Sequence, residues 1–322
     1  MRRAGFSQAA IDAAWPTWWD EDAESSPSAR AELRFALSRR LGLSPKPLLG
    51  ERVEFFWDDS ARFKHLRVHD GDERSAIASF GIALGRELIA ASPGPQITDW
   101  QSTTAHHLRA SILRSQSVVD LRSIVLVCWS FGIPVIHLGI VPLERKSMHA
   151  MVVKHENRYA ILLARNARYP AVTAFTVAHE LGHILLGHIE GARALIDLEN
   201  PAEARDEDVQ EQEADAFALN LLTGATRLDF EVNTSSFNAP TLADAAMRAA
   251  SAYQIEPGTI ALTLAHEDGS WPRTMSALKF IYGDARPVSE DVNDLAQREL
   301  DWDALSEEAA DYLARIMKGT DA

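Results

Sequence analysis

Residues 179–183 read His-Glu-Leu-Gly-His, and no other stretch of the 322 residues constrains the fold as tightly. On an α-helix, positions four apart differ by about 40° in azimuth and lie one turn apart. His179 and His183 therefore project side by side, where both imidazoles can reach one metal ion. Glu180 is turned roughly 100° from His179, so it flanks the metal's open position instead of filling a ligand site. From there a carboxylate can take a proton from the attacking water and later pass it to a leaving amine. Val177-Ala178 before the motif and Ile184-Leu185-Leu186 after it supply apolar residues that bury such a helix, and Gly182 lets a neighbouring element approach closely. The pattern thus calls for a long buried helix, expected over about 172–189, and for a second element that brings a third ligand.

A suitable helix is expected over about 206–222, stopped at Thr223-Gly224. It carries Glu211-Gln212-Glu213-Ala214-Asp215-Ala216-Phe217-Ala218. Glu211 and Asp215 share a face with Ala214, Ala218 and Leu222, whereas Glu213 points about 200° away from Glu211. This register suits Glu211 as the third ligand of a zinc site, with Glu213 as the alternative. Asp215, one turn further on, can accept the free ring N–H of a zinc histidine and fix its tautomer. His188 lies nine residues from His179, nearly opposite on a continuous helix. A three-histidine site would want glycine at 186 and histidine at 189, where the chain has Leu186 and Ile189. His106, His107, His149 and His155 read as surface or core histidines.

The remaining features bound the class. An apolar share of 46% is ordinary for packed cores. The single cysteine, Cys128, rules out an internal disulfide and fits a reducing compartment. With no apolar run near the roughly 18 residues that span a bilayer, a soluble, cytoplasmic protein is expected. The net charge of −14 is unevenly placed. Residues 191–322 hold about 10 basic and 26 acidic side chains, roughly −16, against roughly +4 for residues 101–190. An acidic surface of that kind repels phosphate backbones.

Turn-rich stretches at Ser92-Pro93-Gly94-Pro95 and from Asn233 to Pro240 divide the chain into three expected units, 1–95, 96–232 and 233–322. The first opens with Trp15, Trp18 and Trp19. A helix capped by Ser28 is expected through Leu33, Leu37 and Leu41 to Gly42, followed by strands at 53–57 and 63–68. In the middle unit, helices at 101–114 and 117–131 precede a strand at 135–138, and two short strands flank the turn His155-Glu156-Asn157-Arg158. The last unit reads as mostly helical.

At the residues above, the chain resembles the ImmA/IrrE family of zinc metallopeptidases. The match rests on Phe175-Thr176-Val177-Ala178-His179-Glu180-Leu181-Gly182-His183 with Leu186-Gly187-His188, and on Glu211 to Ala218 followed by Leu221-Leu222. It covers about 135–225. The resemblance implies an α+β fold, mainly helical: a gluzincin-like core of helices around a small antiparallel or mixed sheet, here with helical units on either side. It implies zinc held by His179, His183 and Glu211, Glu180 as general base, and a helix-turn-helix repressor as the protein cut. Leu37 to Pro45 is also similar to the closing helices of Xre-type helix-turn-helix domains, without a convincing recognition helix before it.

Two functions follow as expectations. One is a site-specific endopeptidase acting on a regulatory protein in a stress or mobile-element response. The other is a zinc-stabilised interaction module with little turnover, antitoxin-like or phage-related. An intact Glu180 favours the first, because a purely structural site has no use for a base and closes all four ligand positions. In either case the partner is a protein. Productive phosphate contacts need several cations on one face, and Arg34, Arg39 and Arg40 are too few. The full-length protein should therefore give no sequence-specific DNA complex at physiological salt, and a specific band shift would overturn this reading.

Overall fold

Many helix starts are written locally in Ser, Thr, Asp and Asn residues. Ser7 opens α1 (Gln8–Ala14), Asp20 opens α2 (Glu21–Ser25) and Ser26 opens α3 (Pro27–Leu41), each side chain accepting from a backbone N–H of the first turn. Strand β1 (Ala61–Lys64) and α4 (Gly71–Ala90) follow, then α5 (Ala105–Ile112), α6 (Leu121–Ser130) and β2 (Val135–His137). Next come the hairpin β3 (Ala150–His155) and β4 (Arg158–Leu163), α7 (Pro170–Leu185), β5 (Ala194–Asp197) and α8 (Val209–Thr223). The described chain closes with α9 (Ala239–Tyr253), α10 (Pro257–Asp268), α11 (Trp271–Tyr282), α12 (Val288–Glu299) and α13 (Glu307–Lys318). The computed structural model describes residues 1–46, 48, 53–57, 61–64, 71–97, 99–143, 148–198, 208–226, 238–284 and 286–319.

The fold class is α+β, mainly helical around one small mixed sheet of order β1-β5-β3-β4-β2. β3 runs antiparallel to both β4 and β5, while β1 joins β5 and β2 joins β4 in parallel. α4 lies on one face of the sheet. Its Gly85 sits so close to Val153 that an added Cβ would come within 2.7 Å of that side chain. α7 covers the opposite face, and α8 packs beside it.

Several local expectations are revised. Ser26, not Ser28, caps α3, because Pro27 is suited to the first helical position. Residues 53–57 form no strand and contribute one bridge, Leu43 to Phe55. The strand expected at 63–68 is β1, ending at Lys64, and 65–70 lie outside the described residues. The buried helix α4 and strand β5 have no counterpart in the sequence reading.

Hydrophobic packing also cuts across the three expected units. One core runs from Phe6 through Leu41, Phe80, Ile124, Ile161, Leu181 and Leu221 to Tyr312 and Ile316. The stretch 92–95 is a surface turn held within this body: Gln96 N–H donates to the Ser130 carbonyl, and Arg158 donates to the Ser92 and Pro93 carbonyls. α12 and α13 belong to the same core. Asn293 donates to the His137 and Met317 carbonyls, and the Gly139 N–H donates to Ile316. Only α9–α11 make separate small clusters, reached from α7 through Tyr169 and Ala171.

Arg40 ties the first helices to the last. It is buried, donates to the Ala14 carbonyl and pairs with Glu308 at 3.3 Å, while Tyr312 donates to the Arg40 carbonyl. Leu37 and Leu41 are likewise core residues, so this helix-turn-helix-like stretch is spent on packing. Among the described residues, no helix is long and apolar enough to cross a membrane.

The α3–α4 crossing depends on Gly42, which has φ 68° and lies against the Ser79 carbonyl. Gly42→Ala adds a left-handed penalty to a steric clash, and should cost at least about 2 kcal/mol. Urea unfolding of the two proteins measures this directly.

Candidate metal centre

α7 begins at Pro170 and carries the motif in its last two turns, buried throughout from Thr176 to Ile184. Its axis is brought close to α8 at Gly182, where a Cβ would meet Phe217 Cβ at 3.2 Å and Ala214 Cα at 3.3 Å. α8 is capped by Asp208 and presents Glu211 in its first turn. Because the helices approach this closely, side chains from both reach one point.

His179 Nε2 and His183 Nε2 are 3.0 Å apart. Glu211 places Oε2 at 3.3 Å from His179 Nε2 and Oε1 at 3.5 Å from His183 Nε2. A fourth group enters from the sheet: Asp197, the last residue of β5, has Oδ2 at 3.7 Å from His179 Nε2. Donor atoms of these four residues all lie within 4.8 Å of one another. All four are at most 3% exposed.

The donor set suits a dication on two counts. A tetrahedral ion with bonds of about 2.0–2.2 Å has ligand–ligand edges of roughly 3.3–3.6 Å, and the separations above bracket that range. Charge gives the second count. Glu180, Asp197 and Glu211 are three buried carboxylates, offset by Lys64, whose Nζ lies 3.0 Å from Glu211 and 2.7 Å from Asp208 at the rim. Three carboxylates this close together are costly to bury unless positive charge accompanies them. A divalent cation would relieve that repulsion.

The ring nitrogens facing away from the cluster are also engaged. His179 Nδ1 lies 2.8 Å from Asp215 Oδ1, the pairing its helical register suggests. His183 Nδ1 lies 2.9 Å from His188 Nδ1, whose Nε2 is 3.0 Å from Glu213 Oε2. This corrects the placing of His188 on the far side. α7 ends at Leu185, Gly187 turns the chain at φ 76°, and His188 folds back so that its N–H donates to the His183 carbonyl. Glu213, the alternative ligand, is more than half exposed and braces His188 from outside. His149, read as a surface or core histidine, is buried with Nε2 2.9 Å from Thr176 Oγ1, one turn before Glu180. Burial, with Arg165 and His179 nearby, pushes its pKa down to about 3, so the ring is neutral.

Glu180 is fully buried, and among the described residues no donor reaches either carboxylate oxygen. Burial and the facing Asp197 carboxylate hold its carboxyl well above the usual range, against the pull of His179. For His179, burial disfavours the charged ring, but Asp215, Glu211, Asp197 and Glu180 outweigh it and raise its pKa. A bound dication would reverse both tendencies, favouring ionised carboxylates and neutral imidazoles.

Asp197, Lys64 and His188 were not singled out as site residues by the sequence. Lys64 and Asp197 are paired across β1 and β5, and Asp197 is paired with Ala150 on β3. Residues opposite one another in paired strands share a face, so this row of the sheet points at the helix motif. The signals were faint: a short apolar run, Ala194-Leu195-Ile196, ending in an acid, and a lysine after Phe63.

Two helices that bring a His-Glu-Leu-Gly-His segment against a carboxylate, beside a small sheet, define a metallopeptidase-like domain. Residues 130–236, about a third of the chain, match the model of the peptidase family M78, described as the IrrE N-terminal-like domain, which supports the resemblance to the ImmA/IrrE family. Neither the curated proteins nor the solved structures yielded a match.

Removing the Asp215 carboxylate leaves His179 Nδ1 without its partner. Asp215→Ala should weaken metal retention on the order of tenfold to a hundredfold without abolishing it, as read by competition with a chromophoric chelator.

Proposed function

We propose that this chain is a zinc-dependent endopeptidase that cuts a regulatory protein, such as a helix-turn-helix transcriptional repressor, in a stress or mobile-element response of the cytoplasm. The observation that carries the peptidase reading is Glu180, a fully buried carboxylate beside His179 and next to a cluster whose spacing suits one zinc ion. His179, His183 and Glu211 would hold the ion. Zinc bound there supplies Lewis acidity toward a peptide carbonyl and lowers the pKa of water. Glu180, one residue on from His179 and not itself a ligand, would take the proton of the attacking water and return it to the leaving amine. Asp215 and His188 keep the two imidazoles oriented.

A cleft of about 340 Å³ has Asp215 in its wall, with Phe175, Leu219, Leu222, Leu262 and Trp271 as its larger apolar lining and Thr259, Thr263 and His266 among its polar groups. It would take an apolar side chain of the target beside the scissile bond. The target class itself rests on the family. The acidic C-terminal third supports it, since a basic DNA-binding protein is drawn to such a surface.

A second reading is favoured by Asp197. Four protein donors around one point are what a structural zinc site uses, and that would make the chain a zinc-stabilised interaction module with little turnover. Glu180 has no part in such a site.

Glu180→Gln separates the two. The change is nearly isosteric, so fold and metal content should persist. Cleavage of the cognate target, identified by capture on the inactive variant, should fall by roughly 10²- to 10⁴-fold. Cleavage at the normal rate would dismiss Glu180 as the base, and a wild type that cleaves nothing it captures would favour the interaction module.

A further inference from the structure

We infer that Asp197 is a fourth protein ligand which closes the zinc position in the resting protein, so that its side chain must swing aside before a peptide carbonyl can enter. This rests on the zinc reading given above. Three observations carry it.

The first is distance. Asp197 Oδ2 to His179 Nε2 is 3.7 Å, close to the edge of a zinc tetrahedron, and the donor atoms of Asp197 fall within 4.8 Å of those of both other ligands. The second is burial. Asp197 is 1% exposed, at the end of a strand bonded on both sides, and its carboxylate lies among His179, Glu180 and Glu211 in the interior. There it faces the donor atoms of His179 and Glu211 that would hold the ion. The third is the backbone. β5 is pinned by β1 and β3, and the Asp197 carbonyl accepts from the His149 N–H. The main chain therefore stays in place while the side chain can rotate. Lys64, its register partner on β1, is the nearby cation toward which a displaced carboxylate can turn.

The alternative arrangement leaves Asp197 off the metal, sharing a proton with Glu180. The two make different demands on the coordination sphere. If Asp197 is a ligand, the resting site has no vacancy for a small anion; if it shares a proton with Glu180, the fourth position is open to one.

The test loads wild type, Asp197→Ala and Glu211→Ala with zinc and, separately, with cobalt(II), and follows the cobalt visible bands as azide is added. Wild type should bind one metal per chain with bands that excess azide does not move. Asp197→Ala should still bind metal, yield it to a competing chelator about tenfold or more readily, and respond to azide. Bands of the wild-type cobalt protein that shift with azide overturn the inference, whatever becomes of the variant. So does an Asp197→Ala protein with wild-type metal retention. A wild type that takes up no stoichiometric metal removes the zinc reading and this inference together, whereas a metal-loaded, azide-sensitive wild type removes only the inference.

Discussion

The distance between two helices governs the rest of the site. α7 and α8 touch at Gly182, with Phe217 and Ala214 in the space a side chain would need. Even a methyl group there would force its neighbours to give by a few tenths of an ångström. Any such shift moves Glu211 relative to the two imidazoles, which it approaches at 3.3 and 3.5 Å. Interiors are close-packed, so such a displacement is carried along whole helices and not absorbed locally. On the far side of α7, the sheet supplies a rigid floor whose end row, Lys64, Asp197 and Ala150, faces the cluster. Helices set the ligand spacing, and the sheet sets the electrostatics beneath it.

What could be read from the sequence follows the range of the interactions involved. The His179–His183 pair and the Glu211–Asp215 pair are each four residues apart, and helical periodicity alone puts each pair on one face. Their meeting needed only one further fact, a small residue at the contact. His188 could not be placed in this way, because its position depends on where α7 stops. That point is decided by a left-handed glycine two residues after the helix, which a continuous-helix argument ignores. Asp197 and Lys64 were hidden for a different reason. Their proximity comes from strand pairing between segments more than 100 residues apart, and register of that kind leaves no local trace.

The missed helix α4 has a cause of its own. α4 buries most of its length between α3 and the sheet, so it lacks the polar face on which amphipathic periodicity depends. Its glycines look like helix breakers but serve as flat contact surface. The Pro-Gly stretch at 93–95 is a turn over a shared core, and composition cannot distinguish that from a linker. The helical content and the small mixed sheet were legible nonetheless, since they sum over many short-range signals.

The tie between the two ends of the chain bears on how the protein is made. Tyr312, Leu313 and Ile316 fill the core beside α1 and α3, and Arg40 joins the first helices to Glu308 on the last. Residues 64–215, which hold every group of the metal cluster, leave the ribosome well before α13 does. They do so before Tyr312, Leu313 and Ile316 can enter the core beside α1 and α3. Domains fold as units as they emerge, and this unit is not complete until residue 317 has been synthesised. Until α13 has been made, the first helices lack the core partners that Tyr312, Leu313 and Ile316 supply, so the N-terminal segment docks late although it is synthesised first.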